Sequence, residues 1–371
     1  MKIAFITNDL GLGGVQKLTT RFANAFQRQG DDVHVVTMFS RPESFFCKGD
    51  LSADVSFTAF SFSGIFDMRS WFKLYLFLRR EKFDVVFTQL FFADTVGRIA
   101  AFFAGVPVIA TEIQNLIPRL PSKYILTDRL LTFITTVCIS PTSAITRYAR
   151  DVIRFPQSKI VEVPTNVVDP ASFAGPSPRE NMRASLGIPE GARVALTIGR
   201  LVEQKGHSVL LKAIRYILDK DPETQLHFLL VGSGDLGPSL REQARALDLG
   251  KRLIFLGERN DVADLLRSAD MFVFPSLWEG QGLILFEAMF ARIPIIASRV
   301  GGIPDAIEHN RTGILVPSGD SNALAEAILL LAADRALGES LAQTAYEQYK
   351  DRTIEVSAQK LRKAFEVDLG K

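Results

Sequence analysis

The sequence predicts an α/β protein of two tandem doubly wound parallel sheets facing each other across a cleft. Three observations carry that prediction. Short apolar runs alternate with amphipathic stretches along most of the chain, the pattern of parallel strands buried on both faces by helices. The alternation stops once, at a segment holding Pro164, Pro170, Gly175, Pro176 and Pro178, and then restarts. The length of 371 residues suits two domains at roughly 150 residues each.

The elements follow in order. Lys2–Thr7 is an apolar run leading into Gly11, Gly13 and Gly14. Val15, Leu18, Phe22, Ala25 and Phe26 then recur at helical spacing until Gly30 stops the helix. Further strands are predicted at 33–38, 84–88, 106–110 and 136–139, with helices at 66–80 and 93–103. The prolines and glycine of 164–178 read as a linker. Beyond it come strands at 194–198, 226–231, 253–256, 271–274, 295–297 and 313–316. Helices at 208–219, 239–247, 262–268, 283–291, 304–308 and 322–333 alternate with them. A final helix around 354–367 comes too late to be needed by that sheet. The predicted division is 1–170, 171–350 and a terminal segment 351–371.

Composition narrows the function. A chain 47% hydrophobic and 23% charged has the make-up of a folded enzyme, not a disordered segment. Two cysteines, Cys47 and Cys138, exclude a disulfide scaffold and a cysteine metal cluster. A net charge of +2 gives no sign of a nucleic-acid binder, which is normally basic. Met1–Thr7 reads as a buried strand, not a signal peptide. No run of about 18 apolar residues predicts a membrane span, so the expected location is cytoplasmic. Residues 1–170 hold 19 Lys+Arg against 15 Asp+Glu, and the rest 24 against 26. Of the 28 phenylalanines, 21 fall in residues 1–173, so the front half is suited to an apolar or anionic partner.

The sharpest motif is Trp278-Glu279-Gly280-Gln281-Gly282-Leu283, continuing to Glu287 and Met289. It follows a predicted strand and opens a helix, and ligands of open α/β sheets bind at such strand ends. Two glycines let backbone approach a ligand, and the helix start offers free N–H groups to an anion. Glu287, a turn into the helix, can accept hydrogen bonds from a vicinal diol such as a ribose. The second motif, Gly199-Arg200 to Lys205-Gly206, brings two cations to the end of the second domain's first strand. Two cations suit a departing diphosphate. The third, Gly11 to Gln16 with Gly13 and Gly14, is a glycine loop entering a helix.

Other matches lead elsewhere. Gly232-Ser-Gly234-Asp-Leu-Gly237 is formally a dinucleotide fingerprint with Glu258 about 20 residues on, but it follows the second strand of its domain. Asp219-Lys-Asp221 precedes a strand, at the end opposite the cleft. The sequon Asn310-Arg-Thr312 has no secretory context, and the four histidines show no metal spacing. The 66–82 segment is apolar nearly all round with scattered cations. It reads either as a core helix with snorkelling ends or as a contact for a membrane surface or lipid-linked acceptor.

GRLVEQKG, LVGSGD, IFLGERNDVADLLRSADMFVFPS, WEGQGLILFEAM and GGIPDAIEHNRTGILVPSGD occur in this order. Together they resemble the signature of the family 4 glycosyltransferases over about 194–333. GLGGVQ, DVVFTQ, GVPVIATE and the 163–169 linker match more loosely. The resemblance implies the two-Rossmann GT-B fold, with the last helix crossing back to the first domain. It implies a retaining hexosyl transfer from a UDP- or GDP-sugar to a glycan or lipid-linked glycan hydroxyl in polysaccharide biosynthesis, without a metal or other cofactor. Arg200 and Lys205 would hold the diphosphate. Glu279, Gln281 and Gly282 would meet the sugar, and Glu287 the ribose. Gly282 and Leu283 would touch phosphate, Gly13 and Gly14 would cover it, and Gly257, Glu258 and Arg259 would lie near the base. From its own composition, the aromatic and basic first domain is where peripheral contact with the inner face of the membrane is expected.

The chain departs from the family pattern where histidines often follow two front-half strands. It has Thr88-Gln89 and Thr111-Glu112-Ile113-Gln114-Asn115 there. Gln281 replaces a common aromatic, and Val167 follows Asn166 in place of the usual glycine. The competing readings are a nucleotide-sugar-binding subunit without catalysis and a dehydrogenase using 232–237.

Overall fold

The computed structural model describes residues 1–11, 13–40, 47–114, 121–165, 167–168, 170–280 and 282–369. Two compact units emerge: Met1–Val167 with Arg352–Lys371, and Val168–Asp351. The chain passes between them at 167–168, three residues before the predicted seam, and returns at 351–352.

In the first unit the chain runs β1 (Lys2–Thr7), α1 (Gly14–Arg28), β2 (Asp32–Thr37), β3 (Ser56–Ala59), α2 (Met68–Glu81), β4 (Val85–Thr88) and α3 (Phe91–Ala104). It continues through β5 (Val108–Glu112), α4 (Ser122–Leu131), β6 (Val137–Ser140), α5 (Ser143–Tyr148) and β7 (Ile160–Glu162). All pairings are parallel, in the order β3-β2-β1-β4-β5-β6-β7. Strand β5 sits two residues later than predicted, because Pro107 is spent in the turn before it.

The second unit opens with α6 (Arg179–Ser185), then β8 (Arg193–Ile198), α7 (His207–Lys220), β9 (Leu226–Val231), α8 (Gly237–Ala246), β10 (Leu253–Gly257), α9 (Val262–Ser268) and β11 (Met271–Phe274). It closes with α10 (Leu283–Phe290), β12 (Ile295–Ser298), α11 (Ile303–Ala306), β13 (Ile314–Val316), α12 (Ser321–Ala333) and α13 (Arg335–Tyr349). Its six strands are parallel, ordered β10-β9-β8-β11-β12-β13. The winding direction therefore reverses between β8 and β11, and the loops leaving those two strands become neighbours.

The terminal helix α14 (Ile354–Leu369) belongs to the first unit. Ile354, Leu361 and Phe365 are buried with Leu18, Phe22 and Phe26 of α1. The Phe365 ring lies 6.1 Å from Phe26 and 5.7 Å from Phe87. On the opposite face of this sheet, Leu74 and Leu78 of α2 and Val96 and Ala100 of α3 form a second core layer. Of α2 only Ser70, Leu74 and Leu78 are buried. The helix is thus half in the core, and its remaining apolar residues are left outside.

Candidate active site

The loops leaving β8 and β11 carry the two strongest sequence motifs and bring them together. Lys205 ends a short 3₁₀ turn after β8, just before Gly206, the N-cap of α7. Glu279 lies five residues past β11. They are 74 residues apart in sequence, yet Lys205 Nζ donates to Glu279 Oε2 at 2.5 Å. Both side chains are largely shielded from water, so the pair is a charge-assisted bond in a low-dielectric setting. The ammonium also sits 4.8 Å from the Phe274 ring centroid. Around the carboxylate, Ser276 Oγ lies 3.5 Å from Oε2, and the Gly280 N–H donates to Oε1 at 3.3 Å.

Backbone contacts fix these loops. The Leu277 N–H donates to the Gln204 carbonyl at 2.8 Å, tying the β11 loop to the β8 loop. The Gly302 N–H donates to the Glu279 carbonyl at 3.3 Å. Next to it Gly301 has φ +53°, and a Cβ there would fall 1.7 Å from that carbonyl oxygen. Only glycine allows this approach, so the turn after β12 locks the backbone of Glu279.

Helix α10 begins immediately beyond. Its N-cap residue, Gly282, is left-handed, with φ 65°, and as a glycine it supplies no side-chain cap. The Leu285 N–H closes the first turn onto the Gly282 carbonyl at 2.8 Å, and the positive end of the helix dipole with the N–H groups before it suits an anion. Leu283 is the first residue of α10, and Glu287 is half-buried one turn on. Gln281 lies outside the described residues, as do Asn115 and Asn166.

The two predicted cations occupy different settings. Lys205 is turned into the site, whereas Arg200 is exposed at the mouth of the β8 loop. The Arg200 carbonyl accepts a hydrogen bond from His207 Nε2 at 3.0 Å. That bond assigns the ring hydrogen to Nε2, and Nδ1 is buried without a partner. Burial, followed by the nearby Lys205 charge, pushes the His207 pKa down to about 4. A neutral His207 therefore pins the loop that carries both cations. Metal spacing does not single out this histidine; its place beside Lys205 at a helix start is the signal the sequence offers.

Gly257 ends β10. Glu258, exposed, accepts a hydrogen bond from Ser233 Oγ. Arg259 forms a two-pronged pair with Asp261, at 2.8 and 2.5 Å. The fingerprint at 232–237 has a different purpose. Gly232 has φ +135°, and a Cβ on it would meet the Gly199 carbonyl at 2.1 Å. The Leu201 N–H donates to the Ser233 carbonyl at 2.7 Å. These glycines let the β9 loop support the Arg200 loop from behind.

In the first unit, Gly13 is the extended N-cap of α1 and Gly14 its first residue. Around Gln89 and Glu112, at the ends of β4 and β5, the structure holds a closed polar cluster. Gln89 Nε2 donates to Glu112 Oε2 at 2.6 Å, and Thr165 Oγ1 donates to Oε1 at 2.5 Å. Gln114 Nε2 also reaches Oε2, at 2.9 Å, and Thr19 Oγ1 donates to Gln89 Oε1 at 2.5 Å. A buried carboxylate is tolerated when its oxygens are bonded in this way.

Among the described residues, no group of three or more His, Cys, Asp or Glu side chains could hold a metal ion. Asp219 pairs with Arg215 at 2.8 Å. No helix of the described residues is long and apolar enough to cross a membrane.

Comparison with known proteins defines the class. The glycosyl transferases group 1 family model matches residues 178–348, and the glycosyltransferase family 4 model matches residues 12–171. A UDP-Gal:alpha-D-GlcNAc-diphosphoundecaprenol alpha-1,3-galactosyltransferase of Escherichia coli is 28% identical over 346 residues, covering 91% of this chain and 89% of that protein. A D-inositol 3-phosphate glycosyltransferase of Corynebacterium glutamicum (strain R) is 37% identical over 162 residues, 42% of this chain and 38% of that protein. The crystal structure of Anabaena HepE in complex with UDP-glucose superposes with a TM-score of 0.85 at 20% identity, covering 99% of this chain and 100% of that one. The two parallel-sheet units have the GT-B fold, and the family models make the class a glycosyltransferase. The chain belongs to the family 4 glycosyltransferases. That membership, with the packing of Gly232 against the β8 loop, removes the dehydrogenase reading.

Proposed function

We propose that this enzyme transfers a hexose from a UDP-sugar to a hydroxyl of a lipid-linked glycan at the inner face of the membrane, with retention and without a metal. The observation that carries the reading is the Lys205–Glu279 pair beside the glycine that opens α10. An ammonium, a helix N-terminus and a buried acid in one loop cluster suit a diphosphate joined to a sugar. The cation and the helix start meet the diphosphate. Glu279 accepts from sugar hydroxyls, and Glu287 accepts from the ribose. Arg200, exposed at the loop mouth, adds a second charge as the leaving group forms.

In the proposed step the acceptor oxygen bonds to the anomeric carbon on the face that the diphosphate leaves. The bond from that carbon to the diphosphate oxygen breaks, and the acceptor proton passes to a departing phosphate oxygen. UDP is favoured over GDP by the donor in the name of the Escherichia coli relative and by the ligand of the Anabaena structure. The diphosphoundecaprenol in the former name supports a lipid-linked acceptor.

The test has two parts. UDP-sugars should raise the melting temperature of the full chain more than GDP-sugars do, since a ligand bound only by the native state stabilises it. With a polyprenyl-diphosphate-linked sugar as acceptor, the product should keep the donor's anomeric configuration, and EDTA should leave the rate unchanged. An inverted product, or a rate abolished by EDTA and restored by a divalent cation, would contradict the proposal.

A further inference from the structure

One helical layer of the first unit is built unlike the rest of the surface. Thirteen large hydrophobic residues are exposed among the described residues, and eleven of them lie between Ile65 and Phe133. On α2, Met68, Phe72 and Leu76 recur every fourth residue and so line one outward face. They are 72%, 60% and 46% exposed, and Phe66 in the preceding loop is 90% exposed. Arg69, Lys73 and Arg80 form the adjoining row of the same helix. This outward stripe is separate from the inward one of Leu74 and Leu78. The helix is therefore amphipathic twice, once toward the core and once toward solvent.

The surface continues onto the neighbouring helices. Helix α2 packs on α3, and α3 packs on α4. Phe102 and Phe103 project at the end of α3, and Leu126, Leu130 and Phe133 along and just beyond α4. Phe102 and Phe133 line one groove, so the α3 and α4 residues are contiguous.

The charge of the layer is one-sided. Between 65 and 133, the exposed charged residues among those described are Arg69, Lys73, Arg79, Arg80, Lys82 and Lys123. Every described acid in that span is engaged inward or along the chain. Asp67 caps α2, Glu81 pairs with Lys2, and Asp84 accepts from the Lys2 N–H. Asp94 and Asp128 pair with the buried Arg98, and Glu112 sits in the closed cluster. A wide apolar area fringed by cations and free of exposed acids complements a bilayer carrying anionic headgroups. Apolar side chains enter the acyl boundary, and the cations gain from the negative surface potential.

We propose that the α2–α3–α4 layer is a docking surface for an anionic phospholipid bilayer, and that it holds the enzyme where a lipid-linked acceptor resides. It deepens the functional reading above and rests on it for the identity of that acceptor. The direct test is co-sedimentation of the full chain with vesicles. One set is phosphatidylcholine alone, and the other mixes phosphatidylcholine with phosphatidylglycerol. The chain should partition onto the anionic vesicles, and added salt should weaken the binding. A Phe66→Ser/Phe72→Ser/Leu76→Ser variant and an Arg69→Gln/Lys73→Gln/Arg80→Gln variant should each lose about tenfold or more. All six positions are exposed or at the helix surface, so both variants should melt like the wild type and keep its UDP-induced melting shift.

Equal binding to neutral and anionic vesicles, or unchanged binding by both variants, would overturn the proposal. So would a dimer in sedimentation velocity that the apolar variant dissociates while no vesicle binding occurs, since the layer would then be a self-interface. Vesicle binding in a protein that UDP does not stabilise would support the surface and overturn the donor reading instead.

Discussion

Lys205 is held by Glu279 at 2.5 Å, so the cation proposed for the diphosphate and the acid proposed for the sugar satisfy each other. A diphosphate that draws Lys205 away leaves a buried carboxylate short of its partner, which is costly. Sugar hydroxyls offset that cost, whereas free UDP has none to offer at this position. The pair should therefore favour intact donor over released product. Glu279→Gln removes the negative charge that would be stranded. We predict that it binds UDP as tightly as the wild type or tighter, but UDP-sugar about tenfold or more weaker, consistent with loss of a hydrogen bond to a charged acceptor. Calorimetric titration with both ligands checks this, and equal weakening of the two would refute it.

His207 gives a second prediction at the same scale. Its folded pKa is lowered to about 4 from 6.5. As pH falls below 6.5 the unfolded chain takes up a proton that the folded chain refuses until about pH 4. Stability from this group is therefore intact above 6.5 and is lost progressively across that window. The melting temperature should fall less steeply between those pH values in His207→Gln than in the wild type. His34 and His227, also lowered by burial, remain in both proteins and cancel in the comparison. Parallel pH profiles would contradict the assignment.

At the level of elements, the terminal helix is the clearest case of a distant segment completing a core. Phe365 is fully buried between Phe26 and Phe87. Phe365→Ala should cost about 3–5 kcal/mol. The UDP-induced melting shift should persist under conditions where the variant remains folded, because the proposed donor residues with side chains in the site belong to the second unit. A variant with wild-type melting would show that α14 is dispensable to the first unit.

The elements also show what a sequence makes legible. Strands such as β4 and β11, buried on both faces, read as plain apolar runs. Strand β3, Ser56–Ala59, lies at a sheet edge with no fully buried residue, and so it left no such run. Helix α13 was not foreseen because it packs through Gly338, Ala342 and Ala345 as much as through Leu341 and Tyr349. A stripe of small residues carries little hydrophobic signal. Helix α4 buries only Leu131, and α6 buries no residue fully.

For the molecule as a whole, tandem parallel sheets could be read from alternation and one proline-rich seam. The loops after β8 and β11 could be singled out from their motifs. The pairing across 74 residues could not, because it depends on the reversal of winding between β8 and β11. Nor could the double amphipathicity of α2. Its composition shows apolar residues on most sides, and only packing shows which of them the core leaves uncovered.

The central claim is that Lys205 and the start of α10 hold the nucleotide diphosphate. It is tested most directly by titrating UDP into the wild type and Lys205→Ala by calorimetry, with melting curves as the folding control. The account predicts one stoichiometric site in the wild type and an affinity about a hundredfold lower in the variant, within the range for removing one partner of a buried charge interaction, with the fold retained. Undiminished UDP affinity in a correctly folded Lys205→Ala variant would contradict it.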